Sequence, residues 1–368
     1  MKELSMTSPT IFIEEMNGFE HAVATLNIPD ISIQYLKYQD ILHRIANNTS
    51  AIGAIKGPRG EIQKSDVDVF ATAHPDFAIA YIGRHADKIL AQNVAYTLAA
   101  DNTVTLATEQ KTTRLYSMEN SPLSDAVAAF VFHTSARILH QDTAEISKLT
   151  IPDGNTFTKR EGHFYTSDSE CTYRLDGKRV GVVGAGDIGK KVIEYYVRAG
   201  SVVSYTAEIP KKFASDDIEF KDLSALLAQD LDVLTLHLPS RVHVPLEKVR
   251  NVRLFIHTAS GSNIDEQALL DALRERRIQQ ALIDVYQKEG KSFNGGDGQS
   301  QSLLNPQINP QDTPLDLQRK SFIAELITQK RLFLTPHVAY REDSALKRTL
   351  AIALQKIMHT FEEEGTHE

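Results

Sequence analysis

The residues of this chain whose types and spacing point most directly to chemistry are the glycines of Gly184-Ala185-Gly186-Asp187-Ile188-Gly189. They follow Arg179-Val180-Gly181-Val182-Val183, a β-branched run that reads as a short strand. They lead into Ile188, Val192, Ile193, Tyr196 and Val197, spaced as one face of a helix that Gly200 ends. A strand, a glycine turn and a helix start aim backbone N–H groups and the positive helix end at an anion, and the absent side chains let a pyrophosphate approach. The expectation is a dinucleotide site formed by Gly184, Gly186, Asp187, Ile188 and Gly189, with a merely structural glycine turn as the blander alternative.

Sites of this kind hold the ribose hydroxyls with an acid about 20 residues further on, at the end of the next strand. Counting along the chain reaches Ala207, with Thr206 and Glu208 on either side and Lys211 and Lys212 just beyond. Glu208 favours NAD, whereas a missing acid beside two lysines tolerates a 2′-phosphate. NAD is therefore expected, with NADP left open. None of the 13 histidines, among them His85, His133, His140 and His163, shows a spacing suited to a metal, and no metal is expected.

The elements that must position the glycine turn can be read outward from it. Strand candidates follow at Val202-Val203-Ser204-Tyr205, Asp232 to Leu236, Arg253 to Ile256, Ala281 to Val285 and Leu332 to Leu334, with a helical pattern from Asp265 to Arg276 between two of them. Thr10 to Ile13, Ala51 to Ile55 and Phe77 to Ile82 give the same alternation in the first third. Apolar residues from Leu123 to Leu139 keep a helical rhythm that carries the chain from one domain into the next. The expected fold is α/β: two doubly wound Rossmann-like domains with parallel sheets and a cleft between them. Residues 1–137 plus 342–368 form a substrate-binding domain and residues 138–341 a dinucleotide-binding domain, with the boundary near Ile138. Gly290 to Gln318, rich in Gly, Ser, Asn, Gln and Pro, reads as a long loop.

Bulk composition bounds the function. At 368 residues the chain exceeds what one core usually serves, and 42% hydrophobic with 24% charged residues is ordinary for a globular protein. A formal charge of −8 without a basic block argues against nucleic acid as a partner. The single cysteine, Cys171, cannot form an internal disulfide, which fits a reducing compartment. No segment reads as a signal peptide or a membrane span, so the expectation is a cytoplasmic protein without membrane association.

From Asp176 to Arg341 above all, the order of motifs resembles the D-isomer-specific 2-hydroxyacid dehydrogenase family. The resemblance rests on Gly177 to Val183 and the glycine loop, Leu236-His237-Leu238-Pro239, and Thr258-Ala259-Ser260-Gly261 with Ile264-Asp265. It rests further on Ile283-Asp284-Val285-Tyr286 with Glu289, and on Leu334-Thr335-Pro336-His337. It implies hydride transfer between a nicotinamide and a 2-hydroxy or 2-oxo acid, or a related small carbonyl compound, in a homodimer. It also implies that His337 is the acid/base, that Glu289 raises the pKa of that histidine, and that Pro239, Ala259 and Asp284 border the cofactor, Asp284 near the nicotinamide carboxamide. A carboxylate beside the imidazole favours the protonated form that donates to a carbonyl oxygen as hydride arrives.

The sequence departs from the family where it has Ser260 in place of the arginine that grips the substrate carboxylate. A serine cannot make the bidentate, charge-assisted contact of a guanidinium. Arg59, Arg84 and Arg341 are the arginines that could reach the pocket from elsewhere. The alternative reading is a non-catalytic NAD(H)-binding regulatory protein that kept the fold and lost the arginine.

Overall fold

Short runs buried on both faces become the central strands of two parallel sheets. The computed structural model describes residues 9–16, 19–26, 28–47, 50–57, 61–73, 77–82, 90–99, 103–107, 112–118, 121–139, 175–213, 218–287 and 302–364. In the first unit, β1 (Thr10–Glu14), β2 (Ser32–Leu36), β3 (Ala51–Lys56), β4 (Ala78–Tyr81) and β7 (Thr112–Ser117) run parallel. The antiparallel strands β5 (Tyr96–Leu98) and β6 (Val104–Ala107) extend one edge, giving the order β2-β1-β3-β4-β7-β6-β5. Ile11, Phe12, Ile13 and Ile55 are fully buried, and the helix Asp343–Glu364 returns to pack on β3 and β4.

The second unit contains the sheet expected around the glycine turn. β8 (Arg179–Val183), β9 (Val202–Thr206), β10 (Ile218–Phe220), β11 (Asp230–Leu236), β12 (Asn251–His257), β13 (Ile278–Ile283) and β14 (Leu332–Leu334) are all parallel, in the order β10-β9-β8-β11-β12-β13-β14. The order reverses direction between β8 and β11, and in doubly wound sheets ligands bind at the carboxyl ends of the strands beside that point. Among the described residues no helix is long and apolar enough to cross a membrane.

Two boundaries differ from the sequence expectation. The chain divides into Met1–Ser124 with Arg341–Glu368, and Asp125–Tyr340, so the break precedes the helix Pro122–Leu139 almost entirely instead of falling at 137/138. The cause is packing. Tyr196 donates to Ser135 at 2.7 Å with both side chains fully buried, and Phe132 lies 5.5 Å from the rings of both Tyr195 and Tyr196. The expected loop 290–318 is also shorter. Residues 290–301 lie outside the described residues, and a helix begins at Pro314 and runs to Thr328. Thr313 caps it: its hydroxyl accepts from the Asp316 amide while the Asp316 carboxylate accepts from the Thr313 amide, with proline in the first turn.

Candidate active site

Strand β8 delivers the glycine turn to the carboxyl edge of the second sheet, and the structure shows why it needs glycine. Gly184 has φ +97°, and a Cβ there would lie 2.2 Å from the carbonyl oxygen of His237. A Cβ on Gly189 would lie 1.9 Å from the carbonyl oxygen of Gly184. These two glycines let the loop, the first helical turn and the end of β11 close together. Gly186 is different, because a Cβ there would meet nothing within 4 Å, so its outer side is open to a ligand. Gly186 is also the N-cap of the helix Asp187–Arg198 and supplies no capping side chain. Asp187, Ile188 and Gly189 form that first turn, where helix N–H groups gather. A dinucleotide pyrophosphate fits this cradle.

The neighbouring strand ends complete the rim. Thr206 closes β9, and its carbonyl accepts from the Gly184 amide at 2.9 Å. Glu208 is exposed two residues past that strand end. At the end of β11, the His237 amide donates to the Val183 carbonyl at 2.8 Å, and the His237 ring meets the Thr235 hydroxyl at 3.0 Å. Burial, and then the adjoining His257, push the His237 imidazole down to about 3, so it is neutral at physiological pH. The Pro239 carbonyl accepts from the Asn263 amide group at 2.8 Å, and Ala259 packs half-buried against the core.

Ser260, just beyond β12, shares a hydrogen bond of 3.0 Å with the hydroxyl of Ser262, which in turn donates to the Ser240 carbonyl at 2.8 Å. The position where the family has an arginine is therefore occupied here by a neutral hydroxyl pair.

His337 sits in the turn after β14 with φ +53°, a left-handed conformation costly for a residue with a Cβ. Asp284, fully buried at the end of β13, holds that turn. Its carboxylate accepts from the Thr335 hydroxyl at 2.6 Å, the Val338 amide at 2.8 Å and the Ala339 amide at 3.0 Å. The Tyr286 hydroxyl adds a bond of 2.7 Å to the Thr335 carbonyl. The His337 ring stands edge-on to Tyr340 at 5.4 Å and remains half-buried. The family resemblance puts Asp284 beside a carboxamide; in the structure its carboxylate is bonded to the backbone that presents His337.

Glu289 lies outside the described residues, as do Arg59 and Arg84, while Arg341 is exposed and begins the second segment of the first unit. Sequence reasoning missed Glu266. Its carboxylate, 1% exposed, accepts from the Gln287 amide at 2.9 Å, the Leu303 amide at 2.7 Å and the Ser302 hydroxyl at 3.0 Å. It thus ties together both ends of the 288–301 segment that contains Glu289. Burial pushes the Glu266 carboxyl up, against these bonds, which lower it. The only prior signal was an acid in a helix first turn, which is normally exposed. Among the described residues no group of three or more His, Cys, Asp or Glu could hold a metal.

Known proteins resemble this chain in sequence and in fold. The family model described as "D-isomer specific 2-hydroxyacid dehydrogenase, NAD binding domain" matches residues 150–339, just over half of the chain. The chain is 28% identical over 216 residues to a D-specific alpha-keto acid dehydrogenase of Enterococcus faecium, covering 56% of this chain and 60% of that protein. It is 28% identical over 196 residues to an aromatic 2-oxoacid reductase of Clostridium sporogenes, covering 51% and 54%. A D-lactate dehydrogenase of Treponema pallidum is 27% identical over 176 residues, covering 46% and 48%. The chain thus spans about half the length of the curated relatives it matches. In fold it is similar to D-2-hydroxyisocaproate dehydrogenase, with a TM-score of 0.62 and 16% identity over 96% of this chain and 97% of that one. A D-lactate dehydrogenase from Lactobacillus jensenii gives 0.60 and 18% over 95% and 96%.

Proposed function

Since this chain belongs to the D-isomer-specific 2-hydroxyacid dehydrogenase family, we propose that it transfers hydride between NAD and a 2-hydroxy or 2-oxo acid, or a related small carbonyl compound. The observation that carries this reading is the His337 turn, a strained loop fixed by three bonds to a fully buried carboxylate. Backbone strain of this kind persists where surrounding structure over-determines it, and it gathers at functional sites.

NAD, when bound, supplies the hydride acceptor or donor. Gly184, Gly186, Asp187, Ile188 and Gly189 would hold its pyrophosphate, with Glu208 at the ribose and Pro239 and Ala259 along the rim. His337 is the residue that holds the exchangeable proton, giving it to a carbonyl oxygen in reduction and taking it from a hydroxyl in oxidation. Glu289 is its proposed carboxylate partner. Ser260 gives the substrate a hydroxyl to bond instead of a cation. The substrate is therefore one whose recognition does not depend on a guanidinium at this position. We place substrate recognition in the unit 1–124 with 341–368 and dinucleotide binding in 125–340, and we propose a cytoplasmic homodimer.

A second reading is favoured by one observation: the Ser260–Ser262 pair offers no positive charge where a carboxylate would bind. A non-catalytic NAD(H)-binding regulator would have that site. Titration with NADH, followed by a panel of 2-oxo acids and neutral carbonyl compounds while nicotinamide absorbance is recorded, separates the two. Oxidation on any member of the panel establishes the dehydrogenase, and binding without oxidation on all of them establishes the regulator. His337→Ala is expected to lower turnover by about two orders of magnitude or more while leaving NADH affinity within about twofold. An active variant would remove His337 from the mechanism.

A further inference from the structure

We infer that a cavity at the edge of the second sheet binds a small carboxylate with an apolar body, and that its occupant bears on the turn that presents His337. The cavity has a volume of about 610 Å³, within the span of ordinary small-molecule sites. All of its walls belong to the unit Asp125–Tyr340. The helix Pro122–Leu139 contributes Arg137 and Ile138, and the helix Pro314–Thr328 contributes Ile327. β14 and the residue after it contribute Phe333, Leu334 and Thr335. β14 is the last strand of its sheet, so Phe333 and Leu334, which alternate across the strand, both reach the same hollow.

The chemistry of the walls selects the ligand. Ile327 is 39% exposed and Phe333 and Leu334 are half-buried, so apolar surface stands to be covered. Among the described residues Arg137 is the one charged side chain lining the cavity, and it is exposed, with neither an ion pair nor a hydrogen bond to any of them. A guanidinium pairs with a carboxylate through two parallel hydrogen bonds. One such group beside an apolar wall suits a monoanion with a hydrocarbon or aryl body. Thr335 gives the binding its consequence. It donates its hydroxyl to Asp284 at 2.6 Å and accepts at its carbonyl from Tyr286 at 2.7 Å. It stands two residues before His337, so an occupant presses on the bonds that hold the left-handed turn. Binding stands apart from the dehydrogenase reading, whereas an effect on turnover rests on it.

The chain contains no tryptophan, so Ile327→Trp places a single reporter at the rim of the cavity. Its emission is titrated in the full chain, with NAD present, using octanoate as the probe and octanol as the neutral counterpart. A saturable shift half complete at about 1 mM octanoate or below is expected, with octanol binding about tenfold weaker. Arg137→Gln in the same background should weaken octanoate about tenfold and leave octanol unchanged. Calorimetry of the chain without the tryptophan should show the same loss on Arg137→Gln. Octanoate should also lower kcat at saturating 2-oxo acid, and Arg137→Gln should remove that effect; a kcat indifferent to bound octanoate would overturn the link to His337. No saturable shift, equal affinities for octanoate and octanol, or unchanged octanoate binding in Arg137→Gln would overturn the site itself. Emission that changes with protein concentration alone would overturn it too, by assigning the cavity to a second copy of the chain. The titration reads binding with or without turnover, so failure of the dehydrogenase reading is seen separately.

Discussion

Asp284 shows how one side chain can place another without touching the chemistry. Its three acceptor bonds reach across 51 to 55 residues of sequence to the turn that presents His337. Asp284→Asn keeps the shape and turns one acceptor into a donor facing a backbone N–H, leaving a buried group unsatisfied at a cost of about 1–3 kcal/mol. The expected result is a fall in kcat of about tenfold or more with NADH affinity nearly constant, read from steady-state rates and fluorescence titration. His237 gives a second residue-scale test. Its folded pKa of about 3 lies below the ordinary 6.5, so between those values the unfolded chain binds a proton that the folded chain does not. Stability is therefore fully present above about pH 6.5 and declines as pH falls toward 3. Urea unfolding from about pH 7 to about pH 4 should show this decline, and His237→Asn should flatten it; an unchanged slope would assign the acid sensitivity elsewhere. The glycine motif was legible in sequence because its logic is local, contained within Gly184 to Gly189. The roles of Asp284 and Glu266 were not, because each depends on partners that only folding brings near.

At the scale of elements, the strands of the second unit announced themselves as apolar, β-branched runs because both of their faces are covered. The short strands β5 and β10 did not, since their residues are mostly exposed and carry no buried pattern. The helix Pro314–Thr328 was hidden in a stretch biased toward Gly, Asn and Gln, although Thr313, Pro314 and Asp316 spell a helix start. The glycine turn is the element whose tolerance is easiest to forecast. Gly189→Ala puts a methyl group 1.9 Å from the Gly184 carbonyl oxygen, a backbone atom that cannot swing aside as the end of a side chain would. Loss of dinucleotide binding with a lower melting temperature is expected, whereas Gly186→Ala, where a Cβ meets nothing within 4 Å, should fold normally. Comparable melting temperatures for the two variants would contradict the close approach at Gly189.

For the molecule as a whole, alternation of strands and helices pointed to two doubly wound sheets, although β2, β5, β6 and β7 of the first sheet gave no strand reading and the division between units could not be read. The helix Pro122–Leu139 has apolar residues that would suit either neighbour, and its packing on Tyr195 and Tyr196, with the buried Tyr196–Ser135 bond, decides its allegiance. Glu266 has a consequence on this larger scale. Because one carboxylate receives both Gln287 and the Ser302–Leu303 corner, the ends of the intervening segment are joined by the fold itself, whatever the segment contains. Lengthening a loop whose ends are already fixed costs only about 0.6 kcal/mol per doubling. Lengthening the segment with inserted glycine and serine residues should accordingly leave the unfolding midpoint almost unchanged, while Glu266→Ala should lower it by stranding the buried Ser302 hydroxyl and two half-buried amides. Such a position is a socket for foreign sequence: an epitope, a reporter or a new recognition loop could be spliced in there, a few residues from Asp284, without renegotiating the core.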